Sequence, residues 1–294
     1  MIISRLKGGL GNQLFQYAIG RQIAYKQDCE LKLDLSYFTN QVDVTPREFK
    51  LGFFNIKAEI ATPKDISKVL GSSLIRSLRR RCWKWGIDIF KWNQKDEKNF
   101  EFQPELLNHK DTVLLNGYWQ NEAYFTAIRS VLLDEIALKP EHLSTSCLEQ
   151  VKEISETESV AVHVRRGDYI SNSESNKTFF VCTLDYYVSA ISQIEKELKT
   201  PKFYVFSDEI DWCKENLDIE LIGKDAQFVS GYQDYEDLWL MSKCKHQIIA
   251  NSSFSWWAAW LNTNKDKIVI APKNWFKNAD LQNQQIVPTD WLRL

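Results

Sequence analysis

Two adjacent arginines stand in the stretch His163-Val164-Arg165-Arg166-Gly167-Asp168-Tyr169. A run of β-prone residues precedes it, so we expect these polar side chains at the carboxyl end of a strand. The planar guanidinium group of arginine forms paired hydrogen bonds with phosphate oxygens. The pair therefore indicates a phosphate site that stabilises charge developing on a leaving group. The alternative, that Arg165 or Arg166 forms a surface ion pair with Asp168, stays open on spacing alone.

A second candidate anion site lies at Asn251-Ser252-Ser253, which joins an apolar strand to a helix predicted to begin near Phe254. Backbone N–H groups at a helix N-terminus attract anions, and serine hydroxyls can add further hydrogen bonds. Ser252 and Ser253 are therefore predicted to contact phosphate.

The glycine-rich turn near the N-terminus matches only part of a dinucleotide-binding fingerprint. Gly9 and Gly11 fit GxGxxG, but Leu14 occupies the position of the third glycine. An NAD-dependent oxidoreductase or epimerase, the alternative enzyme class, would also need an acidic residue ending its second strand, and Asp34 meets only that requirement. We interpret the turn instead as a close approach of the backbone to a ligand, with Asn12 presenting its side-chain amide.

The composition excludes several classes of protein. The 294 residues are 44% apolar and 26% charged with a formal net charge of −2, so there is no basic excess for nucleic-acid binding. The six cysteines form no CxxC pair, which argues against zinc and redox sites. The sequence shows no signal-peptide apolar region and no apolar run near the roughly 20 residues that cross a bilayer. We expect a cytoplasmic protein, or one peripheral at the inner membrane.

Hydrophobic periodicity predicts an α/β fold. A strand over residues 1–6, the glycine-rich turn and a helix over 13–26 open an α/β unit, and a strand over 112–119 precedes a helix over about 121–138. Beyond these, strands are predicted at 159–164, 202–207, 226–230, 247–250 and 267–271, and helices at 184–199, 209–217, 234–244 and 254–262. This alternation predicts two Rossmann-like halves, 1–150 and 151–294, with ligands at the carboxyl ends of their parallel strands.

Over nearly its whole length the sequence resembles the α-1,2-fucosyltransferases, whose HxRRxDY motif fits His163–Tyr169. Four further segments agree in order: Gly8–Ala18 (GGLGNQLFQYA), Gly117–Phe125 (GYWQNEAYF), Val205–Glu209 (VFSDE) and Asn251–Leu261 (NSSFSWWAAWL). The resemblance implies a GT-B fold, in which two Rossmann-like domains face a central cleft. It implies inverting transfer of L-fucose from GDP-fucose to the 2-hydroxyl of a terminal galactoside. It also implies independence from a metal, and the lack of an Asp-x-Asp pair agrees, so no cofactor is expected beyond the donor substrate.

The resemblance assigns donor binding to residues of the C-terminal half. Arg165 is expected on the β-phosphate with Arg166 beside it, and His163 under the guanine or ribose, although a core histidine is the alternative. Asp208 or its neighbour Glu209 would accept hydrogen bonds from N1–H and the amino group of guanine. Asp208 could instead cap the helix that follows it.

Acceptor binding is expected in residues 1–150, for a galactose-terminated oligosaccharide. Trp119 would offer a stacking face, with packing as its alternative, while Gln120 and Asn12 would bond sugar hydroxyls. The expected catalytic residues are Arg165, Asp168 and Asn12. Asp168 is the candidate base within the motifs, but the neighbouring arginines would lower its pKa, so a dissociative route with little base assistance stays open.

Three alternatives concern function and location. The chain could form another fucosyl linkage, or it could be an inactive nucleotide-sugar or glycan-binding protein of the same fold. Residues 66–92 hold a cluster of basic and apolar side chains that would suit an anionic membrane surface, although an ordinary packed helix is favoured. The members of this basic segment are Leu70, Leu74, Arg76, Leu78, Arg79, Arg80, Arg81, Trp83, Lys84, Trp85 and Trp92.

Overall fold

The computed structural model describes residues 1–39, 41, 46–72, 93–98, 100–167, 180–217, 222–223, 225–277 and 285–294. Asp168 and residues 73–92 of the basic segment lie outside these ranges. The chain divides into an N-terminal unit, Met1–Ala137, and a C-terminal unit, Leu138–Leu294. The division falls before the boundary placed at residue 150, because the helix Thr145–Glu156 packs on the helix Asp234–Lys243 of the C-terminal unit.

The described residues of the N-terminal unit contain a five-stranded sheet in the order β3-β2-β1-β5-β4, and each of its strand pairs is parallel. The strands are β1 (Ile2–Arg5), β2 (Leu31–Asp34), β3 (Glu59–Ile60), β4 (Gln94–Asp96) and β5 (Val113–Asn116). Its α-helices are α1 (Leu10–Lys26), α2 (Pro63–Leu70) and α3 (Arg129–Glu135). Short 3-10 turns lie at Leu51–Phe53, Pro104–Asn108, Glu122–Tyr124 and Thr126–Ile128.

Two helices of this unit differ from their predictions. Helix α1 begins at Leu10 rather than at residue 13, because Gly8 turns the chain at φ 79° and Gly9 takes the extended N-cap position. The helix predicted over 121–138 is two 3-10 turns followed by α3. Phe125 separates the two turns with φ −142° while its ring is fully buried, so tertiary packing overrides helix propensity there.

The C-terminal unit contains a six-stranded parallel sheet in the order β11-β10-β9-β6-β7-β8. Its strands are β6 (Glu158–Val164), β7 (Pro201–Ser207), β8 (Gln227–Phe228), β9 (His246–Ile248), β10 (Val269–Ala271) and β11 (Leu292–Arg293). Its α-helices are α4 (Thr145–Glu156), α5 (Leu184–Glu197), α6 (Ile210–Asn216), α7 (Asp234–Lys243) and α8 (Ser253–Leu261), and a 3-10 turn lies at Pro140–His142. Counted within the unit, the strands follow the 3-2-1-4-5-6 order of a Rossmann fold.

Alternating apolar residues explain why β6 lies at the centre of this sheet. Val160, Val162 and Val164 are buried in one cluster with α5 residues such as Ile191 and Ile194. Burying side chains of this size stabilises the unit by about 1.5–3 kcal/mol each before the cost of chain ordering. In the parts of the chain that the structure describes, no helix has the length and apolar character to cross a bilayer.

Each sheet has one topological switch point, the place where the chain begins to add strands on the other side of its first strand. In the N-terminal unit it lies between β1 and β5, and in the C-terminal unit between β6 and β9. Ligands of open α/β sheets bind at such points, outside the carboxyl ends of the strands. Four of the five motifs extend into the loops that follow β1, β5, β6 and β9.

Candidate functional site

The paired arginines leave β6 at its carboxyl end and meet two carboxylates that leave the neighbouring strand β7. Arg165 Nη1 lies 3.1 Å from Asp208 Oδ2, and Arg166 Nε donates a 3.2 Å hydrogen bond to Glu209 Oε2. The parallel register of Val164 with Ser207 explains the contact, because it brings the two loops out at the same level. The structure thus assembles four predicted donor-binding residues.

Backbone contacts lock this arginine loop against Asp208. The N–H of Arg166 donates to Asp208 Oδ1 at 3.1 Å, so both carboxylate oxygens contact the loop. A Cβ on Gly167 would lie 2.4 Å from Asp208 Oδ2, so this approach requires glycine. Asp208 does not cap α6: Glu209 holds the N-cap position, and no side chain of the described residues caps that helix.

Arg166 also stacks on an aromatic ring that the sequence reasoning missed. Its guanidinium carbon lies 3.6 Å from the centroid of Trp212, in the first turn of α6. Cation–π stacking of this kind orients the guanidinium plane while its edge N–H groups can still donate. The sequence signal that could have identified Trp212 is its spacing, because it comes one helical turn after Asp208 and Glu209.

The ion pairs orient these arginines more than they stabilise the fold. The side chains of Arg165 and Asp208 are 22% and 24% exposed, and partly exposed pairs contribute about 0–1 kcal/mol. Each arginine has a carboxylate partner that balances its charge. The arrangement can therefore present two preoriented guanidinium groups to an anion at the switch point.

His163 ends the buried part of β6 and lies beside the first turn of α8. It is 5% exposed, and its ring centroid is 5.7 Å from that of Phe254. Burial, with a smaller effect of the Arg165 charge, lowers the pKa of His163 to about 3, so the imidazole is neutral. Its Nδ1 is buried and has no hydrogen-bond partner among the described residues. Contact with a nucleotide stays a prediction.

On the other side of the switch point, Asn251 and Ser252 shape the N-terminus of α8. Ser252 Oγ accepts a 3.3 Å hydrogen bond from the Phe254 N–H, as an N-cap does. Asn251 Nδ2 donates to the carbonyl oxygens of Phe180 and Trp275. Ser253 is the first residue of the helix. Phosphate binding by Ser252 and Ser253 stays a prediction that this geometry permits.

In the N-terminal unit, the corresponding switch point brings two predicted acceptor residues together. Gln120 Nε2 donates a 2.7 Å hydrogen bond to Asn12 Oδ1, which joins the loop after β5 to the first turn of α1. Gly8 makes this approach possible, because a Cβ there would lie 2.7 Å from Asn12 Nδ2. The result is a pair of uncharged amide side chains joined by a hydrogen bond.

Two buried glutamines of α1 hold the glycine-rich turn and the loop after β5 in place. Gln13 Nε2 donates to Gly8 O at 3.0 Å, and Gln16 Nε2 donates to Gly117 O at 3.1 Å. Gln16 Oε1 accepts from the Lys7 N–H at 2.9 Å. The sequence reasoning did not assign these side chains, although two glutamines three residues apart in an apolar helix could have drawn attention.

Trp119 does not offer the stacking face that we expected. Its side chain is fully buried and packs edge-on against Tyr124, with ring centroids 5.8 Å apart. The physical reason is a left-handed backbone at Trp119, with φ 58°, which belongs to a tight turn after β5. Trp119 is therefore a packing residue, and Gln120 and Asn12 remain the candidates for acceptor contact.

The described residues contain no group of three or more His, Cys, Asp or Glu side chains arranged to hold a metal ion. Asp168, the expected catalytic carboxylate, lies outside those residues. Its role as a base stays a prediction.

Comparison with known proteins identifies the family. Residues 87–294 match the model of glycosyl transferase family 11. An alpha-1,2-colitosyltransferase of Escherichia coli is 35% identical over 299 residues, covering 100% of this chain and 99% of the relative. A galactoside alpha-(1,2)-fucosyltransferase 1 of Saimiri boliviensis boliviensis is 32% identical over 106 residues, 35% of this chain and 28% of the relative.

The fold is also that of a solved glycosyltransferase. The fucosyltransferase NodZ from Bradyrhizobium superposes with a TM-score of 0.50 and 17% identity, covering 87% of this chain and 91% of NodZ. This likeness and the two parallel α/β units confirm the GT-B fold, and the family match confirms the resemblance to the α-1,2-fucosyltransferases. The chain belongs to glycosyl transferase family 11.

Proposed function

We propose that the chain transfers L-fucose from GDP-fucose to the 2-hydroxyl of a terminal galactoside, with inversion and without a metal ion. One observation carries the proposal: Arg165 and Arg166 stand oriented at the switch point of the C-terminal sheet of a family 11 glycosyltransferase. Negative charge grows on the β-phosphate as the bond to the sugar breaks. Two preoriented guanidinium groups stabilise that charge. In metal-dependent glycosyltransferases a divalent cation has this role.

The remaining donor contacts follow from the same edge of the sheet. Ser252 and the N–H groups that begin α8 suit a phosphate oxygen. Both oxygens of Asp208 contact the arginine loop, so guanine recognition needs Asp208 to change partners or falls to Glu209. A carboxylate in that place selects guanine, because adenine lacks the N1–H and 2-amino donors.

The acceptor half of the proposal depends on the neutral amides of Asn12 and Gln120. Amide groups donate and accept, so they fit the hydroxyls of an uncharged sugar. Asp168 stays the candidate base that receives the proton of the attacking hydroxyl. If it does not, the reaction proceeds by a dissociative, oxocarbenium-like route that needs little base assistance.

A second candidate donor is GDP-colitose. The observation that favours it is the 35% identity over the whole chain to an alpha-1,2-colitosyltransferase. Colitose is fucose without the 3-hydroxyl, so the two donors differ in one hydrogen-bonding group. A site that bonds this hydroxyl rejects the deoxy sugar by about 10⁴-fold in kcat/KM, whereas a site that does not bond it accepts both.

One assay tests the proposal. The purified protein is incubated in EDTA with GDP-fucose or GDP-colitose and a panel of β-galactosides, and the linkage of each product is determined by NMR. We expect an α-1,2-linked fucosyl galactoside. A preference for GDP-colitose selects the second candidate, and another linkage corrects the regiochemistry. GDP-fucose binding without turnover for any acceptor would contradict the proposal and indicate the inactive binding protein. The Arg165→Ala variant serves as the blank for contaminating activity.

A further inference from the structure

Glu97 belongs to none of the motifs, yet it lies at the acceptor-side edge of the N-terminal sheet. It is the first residue after β4, which pairs with β5 in parallel, so it emerges beside the loop Gly117–Gln120. Its Oε2 accepts the Tyr118 N–H at 2.7 Å, and its Oε1 accepts the Trp119 N–H at 2.8 Å. One carboxylate therefore holds two consecutive backbone donors.

These hydrogen bonds fix the part of the loop that is conformationally strained. Trp119 has φ 58°, a region that bulky side chains rarely adopt and that persists only where its surroundings impose it. A Cβ on Gly117 would lie 2.4 Å from Glu97 Cβ and 2.7 Å from Trp119 Cε2. A residue larger than glycine at position 117 would therefore displace Glu97 or the indole.

The charge at Glu97 is accommodated locally. Burial is the largest influence on its pKa and raises it, opposed by the two backbone hydrogen bonds and by the Lys7 charge. The Lys7 ammonium lies 4.4 Å from the centroid of the Tyr118 ring. The lysine, the tyrosine ring and the carboxylate therefore surround the loop just before Gln120, the residue that bonds Asn12.

We infer that Glu97 is a positioning residue for the acceptor site: it holds the Tyr118–Trp119 backbone so that Gln120 presents its amide beside Asn12. Glu97 acts through Gln120 and does not touch the acceptor. The inference rests on the proposed function for the identity of the acceptor. The contact between Glu97 and the loop backbone does not depend on that function.

Glu97→Gln tests the hold directly, because it keeps the size of the side chain and replaces one accepting oxygen with an NH₂ group. Asp96→Asn is the matched control: Asp96 is the adjacent, exposed carboxylate, and it bonds the side chains of Gln94 and Asn116 instead of the loop backbone. In hydrogen–deuterium exchange we expect the Tyr118 and Trp119 amides to exchange at least about tenfold faster in Glu97→Gln. Their exchange should not change in Asp96→Asn.

Kinetics test the consequence for the acceptor. We expect Glu97→Gln to raise the acceptor KM by about tenfold or more, the scale of a small misplacement of a binding group, with an unchanged donor KM. Glu97→Asp, which keeps the charge, should recover part of the loss and replaces Glu97→Gln if that variant does not fold. Unchanged exchange or an unchanged acceptor KM overturns the inference. A loss confined to kcat with a flattened pH profile also overturns it, since Glu97 would then take the proton itself.

Failure of the proposed function gives a different pattern. If the wild-type chain does not turn over GDP-fucose, wild type and variant are equally inactive, which marks the proposed function as wrong. The exchange rates of Tyr118 and Trp119 then decide alone whether Glu97 holds the loop.

Discussion

The two switch points occupy the same place in two parallel sheets, but one carries neutral amides and the other carries charged side chains. In the N-terminal unit, the first turn of α1 and the loop after β5 meet through the neutral amides of Asn12 and Gln120. In the C-terminal unit, the loop after β6 presents Arg165 and Arg166, each held by a carboxylate. Under the proposed function, one topology would support a site for hydroxyl groups in the first unit and a site for an anion in the second, and the side chains of a few residues would decide which.

The two sites also reach rigidity by different means. In the N-terminal unit, hydrogen bonds from Gln13, Gln16 and Glu97 fix the loop backbone. In the C-terminal unit, ion pairs and the stack of Arg166 over Trp212 fix the charged side chains themselves. Both units also have a glycine that is too near a neighbour to carry a Cβ, Gly117 in the first and Gly167 in the second. A fixed backbone suits a neutral ligand that needs shape, whereas oriented charges suit a leaving group whose charge grows during the reaction. This division of roles can be tested one unit at a time.

The largest expected effect is at the anion site. Arg165→Ala should lower kcat/KM by at least about 10²-fold, the loss typical of removing a preorganised partner of developing charge. Arg165→Lys should recover little, because a point charge cannot reproduce the planar fork. Arg293→Ala, at the edge strand β11, is the matched control and should retain wild-type kinetics. Near-wild-type activity of the lysine variant would contradict the fork geometry.

Paired glycine substitutions then test the division of roles. Gly167→Ala should raise the donor KM, because its Cβ would lie 2.4 Å from Asp208 Oδ2. Gly8→Ala should raise the acceptor KM, because it places a side chain at φ 79° and 2.7 Å from Asn12 Nδ2. We expect about tenfold in each case. Gly52→Ala, whose nearest contact would be an ordinary 3.5 Å, is the control. Equal effects of both variants on both substrates would mean that the two loops do not have separate roles.

Nucleotide discrimination sharpens the assignment of Asp208. If Asp208 reads guanine, the wild-type chain should prefer GDP over IDP, which lacks the 2-amino group, by about tenfold, the value of one charged hydrogen bond. Asp208→Asn should remove that preference. If Asp208 instead acts by holding Arg165, Asp208→Asn weakens GDP and IDP equally, and Glu209→Gln becomes the variant that loses the preference. Calorimetric titration of both nucleotides distinguishes these outcomes.

The last prediction concerns stability and not substrate kinetics. The pKa of His163 is lowered to about 3 in the folded chain from an ordinary value of 6.5, so between these values only the unfolded chain binds the proton. Stability therefore falls as the pH falls from 6.5 towards 3, by at most about 1.4 kcal/mol per pH unit. His163→Gln should show a shallower decline in chemical denaturation. An identical slope would contradict the buried neutral histidine.

Asp237 provides a control, because its effect on stability changes with pH in the opposite direction. Burial, with the nearby Asp234 and Glu236 charges, raises the pKa of Asp237 to about 7 from 3.8. The folded chain binds the proton first, so this carboxyl adds stability as the pH falls from 7 towards 3.8. Asp237→Asn should therefore make the decline steeper than in the wild-type chain.

Much of the C-terminal unit could be predicted from sequence, because its strands are short apolar runs that alternate with periodic helices. The predicted strand 202–207 is β7, Pro201–Ser207, and the predicted helix 254–262 is α8, Ser253–Leu261. The arginine site was also recognisable, since charged residues directly after a buried strand must emerge at its carboxyl end. The partner of each arginine could not be recognised from sequence, because strand register and not sequence spacing brings Arg165 and Asp208 together.

The N-terminal site was harder to predict for a physical reason. A tryptophan after a strand can stack on a sugar or pack in the core, and only the left-handed backbone at Trp119 decides between them. That conformation depends on Glu97, which is distant in sequence and lies in a stretch without clean periodicity. Interactions of this kind, a side chain holding the backbone of another strand's loop, leave no periodic signal in the sequence.

The most direct test is calorimetric titration of the purified chain with GDP in excess EDTA, for the wild type and for Arg165→Ala. If the arginine pair replaces a metal ion at the diphosphate, the wild type binds GDP without added metal, and the variant loses about 2 kcal/mol of binding free energy, as expected for losing a charged hydrogen-bond partner. GDP binding that appears only after Mg²⁺ or Mn²⁺ is added, or that Arg165→Ala leaves unchanged, would contradict the anion site at this switch point.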